Sequence, residues 1–367
     1  MLDPMAGSGA TLVEGIFLRR NTIGIDLDPL ALRLCKTKTT WLEPVQVDEA
    51  GQKVINIARR WTQIGDPLEH FSDRLDQATQ EFMDYWFKTE TQRELSALVL
   101  SVQEETDVQL RRLFEVLISS IIVTKSGGVS MARDLAHSRP HLVESKSPRS
   151  PFKMFEAQLR NAVRSFRETD DIPRGKSAVL AGDARHLPLA DESVDLIVTS
   201  PPYANAIDYM RAHKFSLAWL GNPIKHLSIL RGKYIGAEKL ADIADVALPP
   251  STDITVETLE AIDPRKARIL DKYFRDMSFA IQEMHRVIRP GRAVIIVVGP
   301  STMRGLPIQT HDHLACIAAE IGFDVVEVVR RPIDRDRRMM PARHYNNGQS
   351  LIEQRIHEEF VIGLVKS

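Results

Sequence analysis

The stretch from residue 2 to residue 26 limits the fold more than any other. Leu2-Asp3-Pro4-Met5-Ala6-Gly7-Ser8-Gly9-Ala10-Thr11 runs directly into residues 12–20, whose apolar spacing is helical. Thr22-Ile23-Gly24-Ile25-Asp26 then reads as a short buried strand ending in an acid. Glycine turn, helix, strand and terminal carboxylate make the βαβ pattern in which backbone approaches a nucleotide at the glycines and the acid takes two ribose hydroxyls. A dinucleotide fingerprint needs G-x-G-x-x-G, and a phosphate loop needs G-K-[ST] after its glycines. Gly9 is followed instead by Ala10-Thr11-Leu12, so a nucleoside without a pyrophosphate fits better. Only Met1 and Leu2 precede Asp3, which leaves the expected first strand of the sheet almost missing. Either the chain starts at an internal methionine or another segment fills that slot.

A second stretch, Thr199-Ser200-Pro201-Pro202-Tyr203, follows the mostly apolar run 194–198. Proline lacks an amide hydrogen, and the residue before it is pushed out of the helical region, so Ser-Pro-Pro leaves a strand as a stiff extended elbow with carbonyls free to face a ligand. Tyr203 adds a flat π-face beside those acceptors, which suits a planar heterocycle bearing an exocyclic amine. The plain alternative is that the prolines merely stop strand pairing.

Together the two stretches resemble a family. D-P-M-A-G-S-G-A-T-L, G-I-D-L-D-P-L-A and T-S-P-P-Y-A-N-A-I-D-Y are similar to motifs of the S-adenosylmethionine-dependent amino-methyltransferases of DNA, and the serine at position 200 resembles the cytosine-N4 branch. The resemblance covers roughly residues 1–40 and 177–367. It implies an α/β class I methyltransferase (Rossmann-like) fold: a mostly parallel seven-stranded sheet, its first strand truncated here, with a large helical insertion. It also implies S-adenosyl-L-methionine held by Asp3, Ala6, Gly7, Ser8, Gly9, Thr11, Asp26, Asp183 and Ala184, and a flipped base of double-stranded DNA held by Ser200, Pro201, Pro202 and Tyr203. A cognate restriction endonuclease is the protein partner that such a resemblance suggests. Methylation of adenine N6 in DNA or of a guanine amine in RNA stays open, as does a truncated, inactive nucleic-acid-binding homologue.

Bulk properties exclude several classes. With 48 Lys and Arg against 49 Asp and Glu, the formal net charge is -1, so DNA contacts must come from local patches. Cys35 and Cys316 allow no disulfide framework and no C-x-x-C metal site, which suits a reducing cytoplasm, and no metal is expected. No apolar run reaches the ~18 residues that span a bilayer, and the N-terminus does not read as a signal peptide.

Three segments follow in order: 1–43, the cofactor-binding start; 44–176, a mostly helical insertion with a basic loop that could recognise the target; and 177–367, the catalytic remainder, with 222–264 as a candidate lid. Asp28 and Pro29 read as cap and first turn of the helix after the second strand. Residues 44–122 are helical in pattern, with Tyr85, Trp86 and Phe87 expected in the core. From Lys125 to Arg174, Gly127-Gly128 and repeated X-Pro steps predict irregular, exposed chain. Nine basic residues against three acidic between 125 and 167 form a candidate phosphate-contacting patch, a solvated loop being the other reading. His137 and His141 lack partners at metal-ligand spacing.

Beyond the insertion, 177–183 and 194–200 read as strands, and G-D-A-R-H-L-P-L resembles the loop that sets an acid, Asp183, against the cofactor's adenine amine. A helix over 207–219 is expected to carry Arg211 and Lys214 toward a phosphate or the cofactor carboxylate, near Asn205, Asp208 and Tyr209, ordinary surface charges being the equal alternative. A helix over 272–288 closes at the turn Arg289-Pro290-Gly291-Arg292; strand 293–299, helix 311–321 and strand 324–329 follow. Residues 330–343, with six arginines and two aspartates, form a second candidate patch, and 358–365 a last, antiparallel strand.

Overall fold

The structure, a computed structural model, describes residues 1–122, 124, 128–133, 140–170, 172–204, 209–237, 246–333 and 358–367. The chain opens with β1 (Leu2–Asp3), α1 (Ala10–Phe17) and β2 (Thr22–Asp26). Six helices follow: α2 (Pro29–Lys38), α3 (Pro44–Ile64), α4 (Pro67–Ser72), α5 (Gln77–Trp86), α6 (Thr89–Gln103) and α7 (Val108–Ile122). A short ladder, β3 (Ala132–Arg133) with β4 (His141–Leu142), precedes α8 (Pro151–Glu168). Then come β5 (Ser177–Ala181), β6 (Val194–Thr199), α9 (Met210–Trp219), α10 (Ile224–Arg231), α11 (Pro250–Glu260) and α12 (Pro264–Val287). The chain finishes with β7 (Ile288–Val298), β8 (Thr302–Met303), β9 (Leu306–Pro307), α13 (Thr310–Ile321), β10 (Phe323–Pro332) and β11 (Glu358–Lys366).

Two compact units divide this chain: residues 1–27, 175–207 and 231–367 form one, and 28–174 with 208–230 the other. The first holds a seven-stranded sheet in the order β5-β2-β1-β6-β7-β11-β10. Strands β5 through β7 run parallel, and β11 lies antiparallel between β7 and β10. Numbered along the chain, the sheet reads 3-2-1-4-5-7-6 with only the seventh strand reversed, the class I methyltransferase arrangement. The nearly missing first strand is present as Leu2 and Asp3, and these two residues occupy the central slot themselves: Leu2 pairs with Ile23 on one side and Ile197 on the other.

Leu2, Ile25, Ile197, Val294, Ile296 and Val298 pack under α12, whose Leu270, Tyr273, Phe274, Met277, Ile281 and Met284 recur at three- and four-residue spacing. Each such fully buried apolar side chain contributes about 1.5–3 kcal/mol. Residues 289–292, expected as a turn between helix and strand, lie inside β7. The ladder with β6 jumps there, from Val194↔Ile288 to Leu196↔Ala293, so the Pro-Gly step is looped out of register while pairing resumes on either side.

The second unit is built of helices α2 to α10 around its own core, which includes Phe71 stacked on Trp219 with ring centroids 5.2 Å apart. Asp28 caps α2 through bonds from the Leu30 and Ala31 amides, with Pro29 in the first turn as the sequence leads one to expect. Helix α2 falls within this unit, and residues 222–264 are divided between the two units. Two expectations are corrected here. Residues 151–168, read as irregular, form an 18-residue helix capped by Ser150, because Phe155, Leu159 and Val163 make a buried stripe that outweighs the flanking prolines. Of the aromatic trio only Phe87 is fully buried; Tyr85 stands 58% exposed. His137, Asn205 and Asp208 lie outside the described residues, as do Lys125 and Arg139 of the first basic patch and residues 334–343 of the second. Arg330 and Arg331 of that second patch are paired with Glu358 and Glu359 across the β10–β11 hairpin.

Candidate active site at the carboxyl ends of the central strands

In an open parallel sheet, ligands sit outside the carboxyl ends of the strands, at the place where the strand order reverses. Here that place is the junction of β1 and β6, and the two strand ends are tied together by side chains. Thr199 Oγ1 donates to Asp3 Oδ1 at 2.7 Å, and the Met5 amide donates to the same oxygen at 3.2 Å. Asp3 is 3% exposed. Burial pushes its carboxyl up to about 6, against the opposing effect of hydrogen bonds from Thr199 and Thr11.

The glycine turn leaves β1 and doubles back over β2. Ala6 N donates to Ile25 O at 3.0 Å, Gly7 N to Asp26 Oδ2 at 2.8 Å, and Gly9 N to Ala6 O at 2.8 Å. Gly7 and Gly9 have φ values of 50° and 80°, left-handed backbone that a side chain strongly disfavours. Gly9 starts α1 without a side-chain cap, and Ser8 beside it is exposed. Asp26, expected to take the ribose hydroxyls, therefore already braces the turn through one oxygen.

Asp183 follows β5, whose last residue, Ala181, pairs with Asp26. Its Oδ1 accepts from the Arg185 amide at 3.0 Å and from Arg185 Nε at 2.9 Å, while Oδ2 accepts from Nη2 at 2.7 Å. Burial raises the Asp183 carboxyl, but the Arg185 hydrogen bonds and charge outweigh it and hold the group below the usual carboxylate range. Ala184 is buried beside it.

Past β6, Ser200 is exposed, Pro201 buried, and Pro202 and Tyr203 half-buried. The Tyr203 ring lies against Gly299, just beyond β7: a Cβ at Gly299 would stand 2.7 Å from Tyr203 Cε2 and 3.0 Å from Cζ. Glycine is thus required there for the ring to take its place. On α12, Tyr273 is fully buried; burial, with the charge of Tyr203 adding, pushes its phenol well above the usual range.

The sheet accordingly brings Asp3, Asp26, Asp183 and Ser200 to the carboxyl ends of four adjoining strands. Thr199 as a partner of Asp3, and Arg185, Gly299 and Tyr273, were not singled out from sequence. Arg185 has a visible signal, a cation two residues after a strand-terminal acid; the other two act through packing that no local pattern records. In the helical unit Lys214 Nζ stands 5.2 Å from the centre of the Phe82 ring and 5.9 Å from that of Phe215, within cation–π range of both. Among the described residues no group of three His, Cys, Asp or Glu could hold a metal, and no helix is long and apolar enough to cross a membrane.

No protein-family model matches the chain. Among curated proteins it is similar to the Type II methyltransferase M.MvaI of Kocuria varians, 23% identical over a 330-residue alignment that covers 84% of this chain and 72% of that protein. The Type II methyltransferase M.BsoBI of Geobacillus stearothermophilus is 23% identical over 387 residues, covering 89% and 74% respectively. A solved SAM-dependent methyltransferase from Methanosarcina mazei aligns over 100% of this chain and 91% of its own, at 12% identity and a TM-score of 0.33, a likeness that adds nothing to what the sheet order itself carries. The sheet order is thus that of a class I methyltransferase, and the curated proteins the chain resembles are Type II methyltransferases.

Proposed function

We propose that the protein methylates the exocyclic N4 amine of cytosine in double-stranded DNA, with the target base turned out of the duplex. The observation that carries this reading is the Ser200-Pro201-Pro202-Tyr203 elbow at the end of β6, next to the Asp3–Thr199 bond at the point where the strand order reverses. The relatives named Type II methyltransferases support DNA as the substrate, and serine rather than aspartate at position 200 supports cytosine.

The residues present fit the cofactor. A Cβ at Gly7 would meet nothing within 4 Å, so there is open space over the turn's backbone, and carboxylates end or follow the two neighbouring strands. Asp26 would hold the ribose, Asp183 and Ala184 the adenine, and Asp3, Ala6, Gly7, Ser8, Gly9 and Thr11 the turn around the amino-acid end. S-adenosylmethionine supplies an electrophilic methyl group on a sulfonium. The work left to the protein is positioning. An exocyclic amine is a weak nucleophile because its lone pair is delocalised into the ring. The Ser200 hydroxyl and the Pro201 carbonyl would accept hydrogen bonds from its two N–H groups and so localise that pair, and the surplus proton of the methylated amine would leave to solvent after transfer. Holding amine and methyl in line can supply roughly 7–11 kcal/mol of the barrier reduction. Tyr203, backed by Gly299, stacks on the extruded base and offsets part of the few kcal/mol of unstacking.

Incubating the protein with labelled cofactor and duplex DNA, then digesting to nucleosides, tests the reading: label should appear in N4-methyldeoxycytidine. Label in N6-methyldeoxyadenosine would overturn the base assignment. Ser200→Ala should lower transfer about 100-fold or more, the order found when one positioned hydrogen-bonding group is removed from a reacting centre, and Tyr203→Ala by about 10- to 100-fold, the scale of one lost base–aromatic stack, each with cofactor affinity unchanged.

A further inference from the structure

Four charged side chains in the sheet unit form one continuous chain: Asp183, Arg185, Asp276 and Lys272. Arg185 Nε and Nη2 hold Asp183, Nη1 donates to Asp276 Oδ1 at 2.7 Å, and Nη2 also donates to the Lys233 carbonyl at 2.9 Å. Lys272, one turn before Asp276 on α12, donates to the other Asp276 oxygen. Lys272 and Asp276 are 3% and 8% exposed, so the outer anchor of Arg185 sits in the core. A guanidinium has five N–H donors in a planar fork. Four of them are committed to three residues, Asp183, Lys233 and Asp276, which fixes the plane of Arg185 and through it that of Asp183.

Counting acceptor sites shows what this leaves. A carboxylate has about four lone-pair positions, two per oxygen. Both positions on Asp183 Oδ1 are filled, by the Arg185 amide and Nε, and one on Oδ2 is filled by Nη2. One position on Oδ2 is not used by Arg185. An adenine amine offers one N–H to such an acceptor, whereas a purine with an oxygen at the same carbon offers only a lone pair.

We infer that Arg185 is a positioning residue that sets Asp183 to select a 6-amino purine in the cofactor. This rests on the reading of Asp183 as the residue facing adenine. Arg185 touches neither reactant. It spends three acceptor positions so that the remaining one has a single direction, and Asp276 with Lys272 keeps the fork from turning away. A residue serving only as a strut between β5 and α12 would instead affect every ligand of the site alike.

Calorimetry of the full chain with two product analogues separates these roles: S-adenosylhomocysteine, and the same compound with hypoxanthine replacing adenine. Wild type should favour the amino compound by about 10- to 100-fold, the range of one hydrogen bond to a charged group. Arg185→Gln should remove most of that preference while changing affinity for the hypoxanthine compound little. Arg185→Lys, which keeps the charge and loses the fork, should restore part of it, and Asp276→Asn, which loosens only the outer anchor, should lose a smaller part. Equal weakening of both compounds in the Arg185 variants would make Arg185 a strut and overturn the inference. A wild type that binds both compounds equally would overturn the Asp183 reading itself, and one that binds neither would overturn the cofactor site.

Discussion

Asp3 and Asp183 stand at the same edge of one sheet, at the ends of strands two places apart, and the protein treats them in opposite ways. Asp3 is buried among neutral donors, the Thr199 and Thr11 hydroxyls and the Met5 amide, and its carboxyl rises to about 6. Asp183 retains a quarter of its side-chain exposure and is gripped by a guanidinium, and its carboxyl is held low. Position at a strand's carboxyl end thus says nothing of an acid's charge. The partner decides that. Asp183 is held as an ionised acceptor, while Asp3 is a carboxyl poised to hold its proton on the acid side of neutrality, joining β1 to β6.

Removing the partner should produce the largest effect. Arg185→Met leaves Asp183 half-solvated and deprives the buried Asp276 of one of its two cations. Breaking an ion pair on one side only costs about 3 kcal/mol when the abandoned charge is largely buried. Urea unfolding should show a loss of that order. The charge-free pair Arg185→Met with Asp183→Leu should recover part of it, because the second change removes one of the two charges left alone. A loss under about 0.5 kcal/mol, the size found for surface pairs, would mean that the guanidinium is not what distinguishes the two acids.

Next in size is the pH dependence that belongs to Asp3. Its folded value of about 6 lies above the 3.8 of the unfolded chain, so between these values the folded protein binds the extra proton. Stability attributable to this group is therefore full below about pH 4 and falls as pH rises, by up to about 3 kcal/mol for a shift of two units, levelling above pH 6. Asp183 contributes with the opposite sign, its stabilisation present at neutral pH and lost as pH falls. Asp3→Asn keeps an acceptor for Thr199 and cannot ionise. Subtracting its unfolding free energy from that of wild type across pH 4–8 isolates the Asp3 component: a difference that falls with rising pH and is flat above about 6. A difference that rises with pH would reverse the assignment.

The sequence discloses these two acids unequally, and for physical reasons. Asp26 and Asp183 are legible because each closes a short apolar strand, a local pattern that period and polarity reveal. Asp3 follows a single strand residue, so nothing in the pattern shows that Leu2 would pair on both sides and place it at the centre of the sheet. Partners are harder still. Thr199 lies 196 residues from Asp3 and Asp276 lies 91 from Arg185, and such separations are set by sheet order and helix packing. Tyr203 was readable as a flat face, whereas Gly299, which gives it room, was not, since an absent side chain leaves no periodic mark. The stretch 289–292 misled because Arg-Pro-Gly-Arg has the composition of a turn, and nothing local says that pairing resumes on both sides of it.

The smallest change sharpens the comparison most directly. Thr199→Val keeps side-chain size and removes the 2.7 Å donor from Asp3, leaving the Met5 amide and Thr11 as its hydrogen-bond partners. The net value of one such bond is about 1 kcal/mol, so the variant should fold and lose stability on that scale. What matters more is where the loss falls along pH. The Thr199 hydroxyl favours the ionised carboxyl, and without it the folded value should climb above about 6 while the unfolded value stays put. The window in which stability declines should then extend toward neutral pH, with the whole penalty appearing above it. If the window does not move, hydroxyl donors are not what restrains Asp3, and burial alone would account for its difference from Asp183.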